Sequence, residues 1–235
     1  MPWEEQSPMS GDGRPTVVIG CRMLEPLLAP HLDPAQSATF LGYGLHERPI
    51  DMTPALQEHL DALPEPSTVV VGYGLCGNGV VGLTAGQHTL ILPRVHDCVA
   101  MVMGSHQAYV DDFRSNPGTY YLTRGWLDIG EDPLHEYERI VERRGVEFAE
   151  RVIDSLYGNY RRLCLLAFSA EDMADLRPLA APIVEFCQDR WDVAYEEAVG
   201  DSSLIESLLR TEALDDSRFL RVLPGGEVTQ DMFLE

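Results

Sequence analysis

Short, unbroken apolar runs recur along this chain, spaced by stretches of helical periodicity. Thr16-Val-Val-Ile-Gly20, Thr68-Val-Val-Val71, Thr89-Leu-Ile-Leu92 and Arg162-Leu-Cys-Leu-Leu-Ala-Phe168 are continuous rather than alternating. Continuous β-rich runs suit strands buried on both faces of a parallel sheet. Ala38 to His46 adds a strand and turn, Tyr120 to Trp126 a strand or extended segment, Val193 to Glu196 a short strand, and Phe219 to Glu227 a closing strand and turn. Between them, Met23 to Leu28 reads as a helix, and Pro54 to Leu63 as an amphipathic helix with Leu56, Leu60 and Leu63 on one face. Further helices are expected over Val99 to Phe113, Pro133 to Tyr157, Ala170 to Asp189 and Ser203 to Arg210, with Ser169 as an N-cap.

Strands that alternate with helices predict an α/β fold: a doubly wound, mostly parallel sheet with helices on both faces, Rossmann-like. Residues 1–14 read as a flexible tail. Residues 15–235 read as one α/β domain, with 160–235 as a candidate C-terminal subdomain. Right-handed crossovers would bring the carboxyl ends of the strands to one edge, where such folds bind ligands.

Three of the strand runs lead to a cysteine at that edge. Cys21 follows the first. Cys76 lies in the turn Val69-Val-Val-Gly-Tyr-Gly-Leu-Cys-Gly-Asn-Gly79, and Cys98 ends Pro93-Arg-Val-His-Asp-Cys98. Thiolates on a rigid scaffold are ligands for a soft metal ion or an iron–sulfur cluster. Cys21, Cys76 and Cys98 are therefore expected to share one site holding Zn or a [4Fe-4S] cluster, between which the sequence does not choose. His96 is the expected fourth ligand. His46 is the alternative, because Gly42-Tyr-Gly-Leu45 repeats Gly72-Tyr-Gly-Leu75 and puts His46 where Cys76 falls. If neither reaches, one coordination position is open to substrate. The competing view is that each cysteine is simply a small buried residue, and it is preferred for Cys164 and Cys187, which sit in apolar surroundings.

His96 and Asp97 are candidate acid/base residues, with Asp97 orienting an imidazole. Arg94 is a candidate anion anchor. Gly74, Gly77, Asn78, Ser105, Tyr121 and Arg124 are candidate substrate-binding residues. A second view starts from Gly72, Gly74 and Gly77, which satisfy the dinucleotide pattern G-x-G-x-x-G, with Asp97 downstream. It requires a helix within Val80 to Ala85, a short stretch that holds another glycine.

Composition narrows the chemistry. All 17 basic residues are arginine, so a lysine Schiff base and a Walker-type phosphate loop are excluded. The net charge of -21 argues against binding to duplex nucleic acid or an anionic membrane. There is no apolar run of roughly 18 residues, the length a membrane helix needs. The first residues lack the basic and apolar regions of a signal peptide. A cytoplasmic protein with reduced cysteines is expected.

Gly20-Cys21, Tyr73-Gly-Leu-Cys-Gly-Asn-Gly79, Leu92-Pro-Arg-Val-His-Asp-Cys98, Gly104-Ser105, Pro117-Gly-Thr-Tyr-Tyr-Leu-Thr-Arg-Gly-Trp126 and Gly200-Asp201 together resemble the bacterial and archaeal domain-of-unknown-function family 1638. The resemblance runs from about Thr16 to Gly226. It implies that the three cysteines and the Pro-Arg-x-His-Asp-Cys stretch are family features. Members resemble accessory proteins encoded near corrinoid-dependent methyltransferases, which implies methyl-group, sulfur or thiol chemistry and corrinoid or methyltransferase proteins as partners. A non-catalytic metal- or cofactor-binding accessory role is the alternative. Three strand-end cysteines are also similar to the open [4Fe-4S] site of desulfidases, by analogy alone.

Overall fold

The computed structural model describes residues 13–42, 44–210 and 216–233, without the side chains of residues 46 and 47. The tail expected over 1–14 therefore lies almost wholly outside the described residues. The chain divides into two compact units, one formed by residues up to 101 together with 203–235, the other by 102–202. The sequence reading has a single α/β domain with a candidate break near 160. The contacts instead set apart a central segment, because two separate apolar sheets each gather their own helices.

The first unit opens with β1 (Thr16–Cys21), α1 (Glu25–Leu28), β2 (Ser37–Leu41), α2 (Gly44–Glu47), α3 (Met52–Asp61), β3 (Thr68–Gly72), β4 (Thr89–Pro93) and α4 (Cys98–Met103). Every residue of β3 and β4 is buried, as continuous apolar runs require. On α3, Met52, Leu56 and Leu60 form the buried face. The connection from β3 to β4 contains no helix. Residues 76–82 are turns, and the segment pairs with 226–228 near the C-terminus through Gly82 N–H to Val228 O (2.9 Å) and Val228 N–H to Leu83 O (2.9 Å). Thr53 on α3 donates its hydroxyl to Gly79 O at 2.7 Å, and Val80, Leu83 and Ala85 are completely buried. This connection is long for a loop, but it is anchored on two sides.

The second unit holds α5 (His106–Ser115), β5 (Thr119–Leu122), α6 (Arg124–Ile129), α7 (Pro133–Arg144), α8 (Val146–Tyr157), β6 (Arg162–Ala167), α9 (Ala170–Trp191) and β7 (Ala194–Val199). Its strands form a parallel sheet in the order β5-β6-β7. Leu163, Leu165 and Ala167 of β6 pack with Met173, Leu176, Ala180 and Ile183 of α9 as its core. Two expected helices are each broken by a glycine with positive φ. Gly104 (+76°) ends α4 and lets Ser105 cap α5, and Gly145 (+82°) separates α7 from α8. The extended segment expected to reach Trp126 ends at Leu122, where α6 follows.

The chain returns to the first unit through α10 (Ser203–Leu209) and β8 (Phe219–Val222). The first sheet runs β2-β1-β3-β4-β8, parallel except for β8. Both units are thus mixed α/β with mostly parallel, helix-flanked sheets, a Rossmann-like architecture. From β1 the chain steps to β2 on one side and to β3 on the other, so the winding reverses between β1 and β3. The carboxyl ends of strands at such a reversal are where open α/β sheets take ligands. Among the described residues, no helix is long and apolar enough to cross a membrane.

Gly104 and Gly200, both in resembling motifs with no obvious chemistry, hold together the two passages into and out of the second unit. A Cβ on Gly200 would sit 2.0 Å from Val102 O, and one on Gly104 would sit 2.3 Å from Asp201 O. Both obstacles are backbone, so no rotamer relieves them. Gly200→Ala should destabilise the second unit by about 3 kcal/mol, the upper end of ordinary overpacking. Gly77→Ala, which meets only positive-φ strain with Pro49 3.5 Å away, should cost about 1 kcal/mol. Urea unfolding of the two variants checks the ranking, and equal midpoints would refute it.

Candidate functional site

β1 and β3 run in register to their ends, where Gly20 pairs with Gly72. Cys21 is the last residue of β1, still paired with Leu41 of β2, and Tyr73 is the first residue beyond β3. Beyond Tyr73 the backbone stays against the segment that follows β4. Leu75 N–H donates to Val95 O (2.9 Å) and Cys76 N–H to His96 O (2.8 Å). Gly74 makes that approach possible, because a Cβ there would lie 2.8 Å from Val95 O and 3.0 Å from Asp97 N. Its space is filled by protein, which leaves no room on that side for the substrate contact expected of it.

Cys76, Gly77 and Asn78 then take φ values of +47°, +63° and +69°. A left-handed cysteine costs about 1–2 kcal/mol relative to an ordinary conformation. It persists because the ladder to His96 and the bond from Gly79 N–H to Cys76 O (3.1 Å) fix both sides. Strain held in this manner is typical of positions where a side chain must be aimed. The same turn corrects the dinucleotide reading. No helix follows Gly77, so there is no helix N-terminus to receive a pyrophosphate.

Cys98 is the first residue of α4, and Asp97 is its cap. Asp97 Oδ1 accepts from Val99 N–H (3.0 Å) and Ala100 N–H (3.3 Å). The carboxylate expected to orient an imidazole thus has a capping role at this oxygen. Its charge also reaches Cys76 and Cys98.

The three thiols sense one another. Burial pushes the Cys76 thiol up to about 12, with Cys21 and Asp97 adding to the rise. Burial raises Cys98 well above the usual thiol range, followed by Asp97, Cys76 and Cys21. Cys21 is raised by burial as well. Each sulfur also has one backbone N–H that favours its thiolate: Met23 for Cys21, Gly74 for Cys76, and its own amide for Cys98. Burial thus favours the neutral thiol at all three positions. Among the described residues, no three His, Cys, Asp or Glu side chains gather tightly enough to hold a single metal ion.

The other expected residues are less central. The His96 side chain is exposed, while its carbonyl serves Cys76. Arg94 is half-buried, with its N–H on Arg218 O (2.8 Å). Asn78 is exposed at the tip of the turn. The His46 side chain lies outside the described residues. Its backbone is helical in α2, whereas Cys76 is in a left-handed turn, so the Gly-Tyr-Gly-Leu repeat does not carry over into geometry. Ser105, Tyr121 and Arg124 belong to the second unit and are engaged there. Ser105 Oγ accepts from Ala108 N–H (3.2 Å), the Tyr121 hydroxyl donates to the Asp112 carboxylate, and Arg124 Nε donates to Asp172 Oδ1 (2.9 Å). Tyr73, which opens the motif Tyr73-Gly-Leu-Cys-Gly-Asn-Gly79 but carries no expected role, is buried beside this site. Its signal is a tyrosine directly after a fully buried strand, where a hydroxyl needs a partner.

The family described as "Protein of unknown function (DUF1638)" matches residues 40–209. No curated protein and no solved structure matches the chain.

Proposed function

We propose that this chain, which belongs to the DUF1638 family of proteins of unknown function, binds a thiolate-ligated metal group on Cys21, Cys76 and Cys98 and uses it on a small molecule. What supports this reading is the backbone that carries the three cysteines past neighbouring strand ends: Gly20 pairs with Gly72, Cys76 N–H donates to His96 O (2.8 Å), and Cys98 opens α4 two residues after His96. N–H groups directed at ligand sulfurs are a means by which proteins tune iron–sulfur clusters.

The two candidate groups differ in footprint. One tetrahedral zinc would draw its sulfurs to within about 4 Å of one another, given Zn–S bonds near 2.3 Å. A cubane spreads its cysteine sulfurs to about 6 Å, because each binds a different iron. Three protein thiolates on a [4Fe-4S] cluster would leave one iron for an outside ligand, and that iron would supply Lewis-acid chemistry. The reversal between β1 and β3 is where a small molecule would enter.

The test is reconstitution under argon with ferrous iron and sulfide, beside a parallel incubation with zinc. About four irons per chain and a broad absorbance near roughly 400 nm, the mark of a thiolate-bound cluster, are expected. Retention of about one zinc and no iron would replace the cluster with a mononuclear site. Retention of neither would overturn the proposal.

A further inference from the structure

The second sheet ends on an open edge. Among the described residues, β7 pairs with β6 and with no other strand. Ala194 N–H donates to Arg161 O (3.0 Å) and Gly200 N–H to Ala167 O (2.6 Å), so the even-numbered residues of β7 aim their backbone groups at β6. Tyr195, Glu197 and Val199 therefore direct theirs outward, where a further strand would bind them. An edge strand is a template for pairing unless something blocks it. The charges of β7 do not block it, because each has its own counter-ion. Arg177 of α9 holds Glu197 through two bonds (2.8 and 2.7 Å), and Arg162 holds Glu196 (2.8 Å). Beside the edge runs a groove of about 340 Å³, lined by Arg177, Ala181, Val184 and Gln188 of α9 and by Tyr195 and Glu197. Val199, at the end of β7, is 57% exposed.

We infer that this edge is a contact between two copies of the chain, with β7 antiparallel to its own copy and two three-stranded sheets joined into one. Only outward-directed residues can exchange ladder bonds with one another, and the register that overlaps the whole strand centres on Glu197. It sets Tyr195 opposite Val199 of the other copy, twice, and Glu196 opposite Ala198. Apolar residues thus meet apolar ones. Glutamates meet only at the axis, where each Glu197 arrives with its own Arg177. Tyr195, Glu197 and Val199 lie on the α9 face of the sheet, since their partners Leu163, Leu165 and Ala167 pack on α9. Val199 of the other copy therefore enters the groove beside Tyr195 and Val184.

The helices agree with the strands. α9 lies over β6 and β7. Its copy would stand two to three strand spacings away, roughly 10–14 Å, within side-chain reach. Arg177, Ala181 and Glu185 follow at one-turn intervals along the groove. The groove brings Ala181 beside Glu197, and an axis there sets Arg177 opposite Glu185 of the other copy on both sides. Glu185 enters no ion pair among the described residues. A second copy supplies the missing cation at the required place.

Sedimentation velocity of the full-length protein across micromolar concentrations is the first measurement, and a species of twice the chain mass is expected. Val199→Asp changes an exposed side chain, so it should keep the wild-type circular dichroism and melting temperature. It should weaken the dimer at least about tenfold, because it sets a carboxylate against Tyr195 of the other copy. Glu185→Arg, which brings two arginines face to face on each side of the axis, should weaken it as well. The register has its own test under mild oxidation. Glu196 and Ala198 form a non-hydrogen-bonded pair across the axis, with Cα atoms about 4.5 Å apart, a separation a disulfide spans. A mixture of Glu196→Cys and Ala198→Cys chains should therefore cross-link more than either variant alone, with oxidised wild type as the background. A wild-type monomer at every concentration would overturn the inference and leave the edge to a strand of a different protein. A dimer that Val199→Asp leaves intact would place the contact elsewhere and also overturn it. Should Val199→Asp fail to fold, the cysteine pair decides, and a folded mixture that does not cross-link above background refutes the pairing.

Discussion

Cys98→Ala is expected to weaken retention of the metal group by at least about 100-fold, beyond the 10–100-fold typical when only an outer hydrogen-bonding partner is removed. The same loss is expected for Cys21→Ala and Cys76→Ala. Each removes one of three thiolates, and no described neighbour stands ready to replace it: Asp97 is occupied at one oxygen as the cap of α4, and His96 is exposed. Cys164→Ala and Cys187→Ala are the controls. Both cysteines are buried in the second unit, where Cys187 belongs to the core. Those two variants should lose stability by about 1–2 kcal/mol through small cavities and keep full metal content. Metal analysis after gel filtration reads all five variants. Should Cys98→Ala retain metal like wild type, Cys98 is not a ligand and the three-thiolate site fails.

The strand ends that carry the candidate site could be read from the chain, because their logic is that of strands. Continuous runs such as Thr68 to Val71 announce burial on both faces, and burial on both faces implies parallel neighbours. Parallel neighbours send Cys21, Cys76 and Cys98 to one edge. What local pattern does not carry is any feature that depends on a distant backbone. Gly74 looks like a phosphate-binding glycine until Val95 O is found where its side chain would be. Gly104 and Gly200 lie nearly a hundred residues apart, and nothing near either one shows that they abut the other's neighbours.

Helix breaks were hidden for a different reason. Apolar spacing runs on through Gly104 and Gly145, so periodicity alone joins α4 to α5 and α7 to α8. Only the positive φ at each glycine separates them. The capping role of Asp97 was legible too: an aspartate immediately before Cys98-Val-Ala-Met is an N-cap signature. The second sheet was hidden because its strands look like those of the first. β5, β6 and β7 have the composition of further strands in one doubly wound sheet, and only the pairing shows that they form their own.

Metal-free protein should lose stability steeply above about pH 9, and the loaded protein should lose less. The sign follows from where the protons sit. An unfolded cysteine ionises near 8.5. In the folded chain, burial raises Cys164 to about 11 and Cys187 and Cys76 to about 12, and raises Cys21 and Cys98 as well. Between those limits the unfolded chain has released protons that the folded chain still holds. The contribution is complete below about pH 8.5 and is withdrawn as pH climbs toward the folded values, by about 1.4 kcal/mol per pH unit for each such cysteine. Two cysteines in the second unit thus withdraw up to about 5 kcal/mol between pH 9 and 11, comparable to the whole stability of a marginal domain. Metal binding reverses the situation for Cys21, Cys76 and Cys98, which are then thiolates in the folded state and have no proton to retain. Their share of the alkaline loss should vanish on loading. In its place, metal retention should fall on the acid side as protons compete for the sulfurs. Urea midpoints from pH 7.5 to 11, with reductant present, measure both curves. A flat metal-free profile would deny the burial of the thiols. Identical alkaline slopes with and without metal would mean that the bound metal is not on these cysteines.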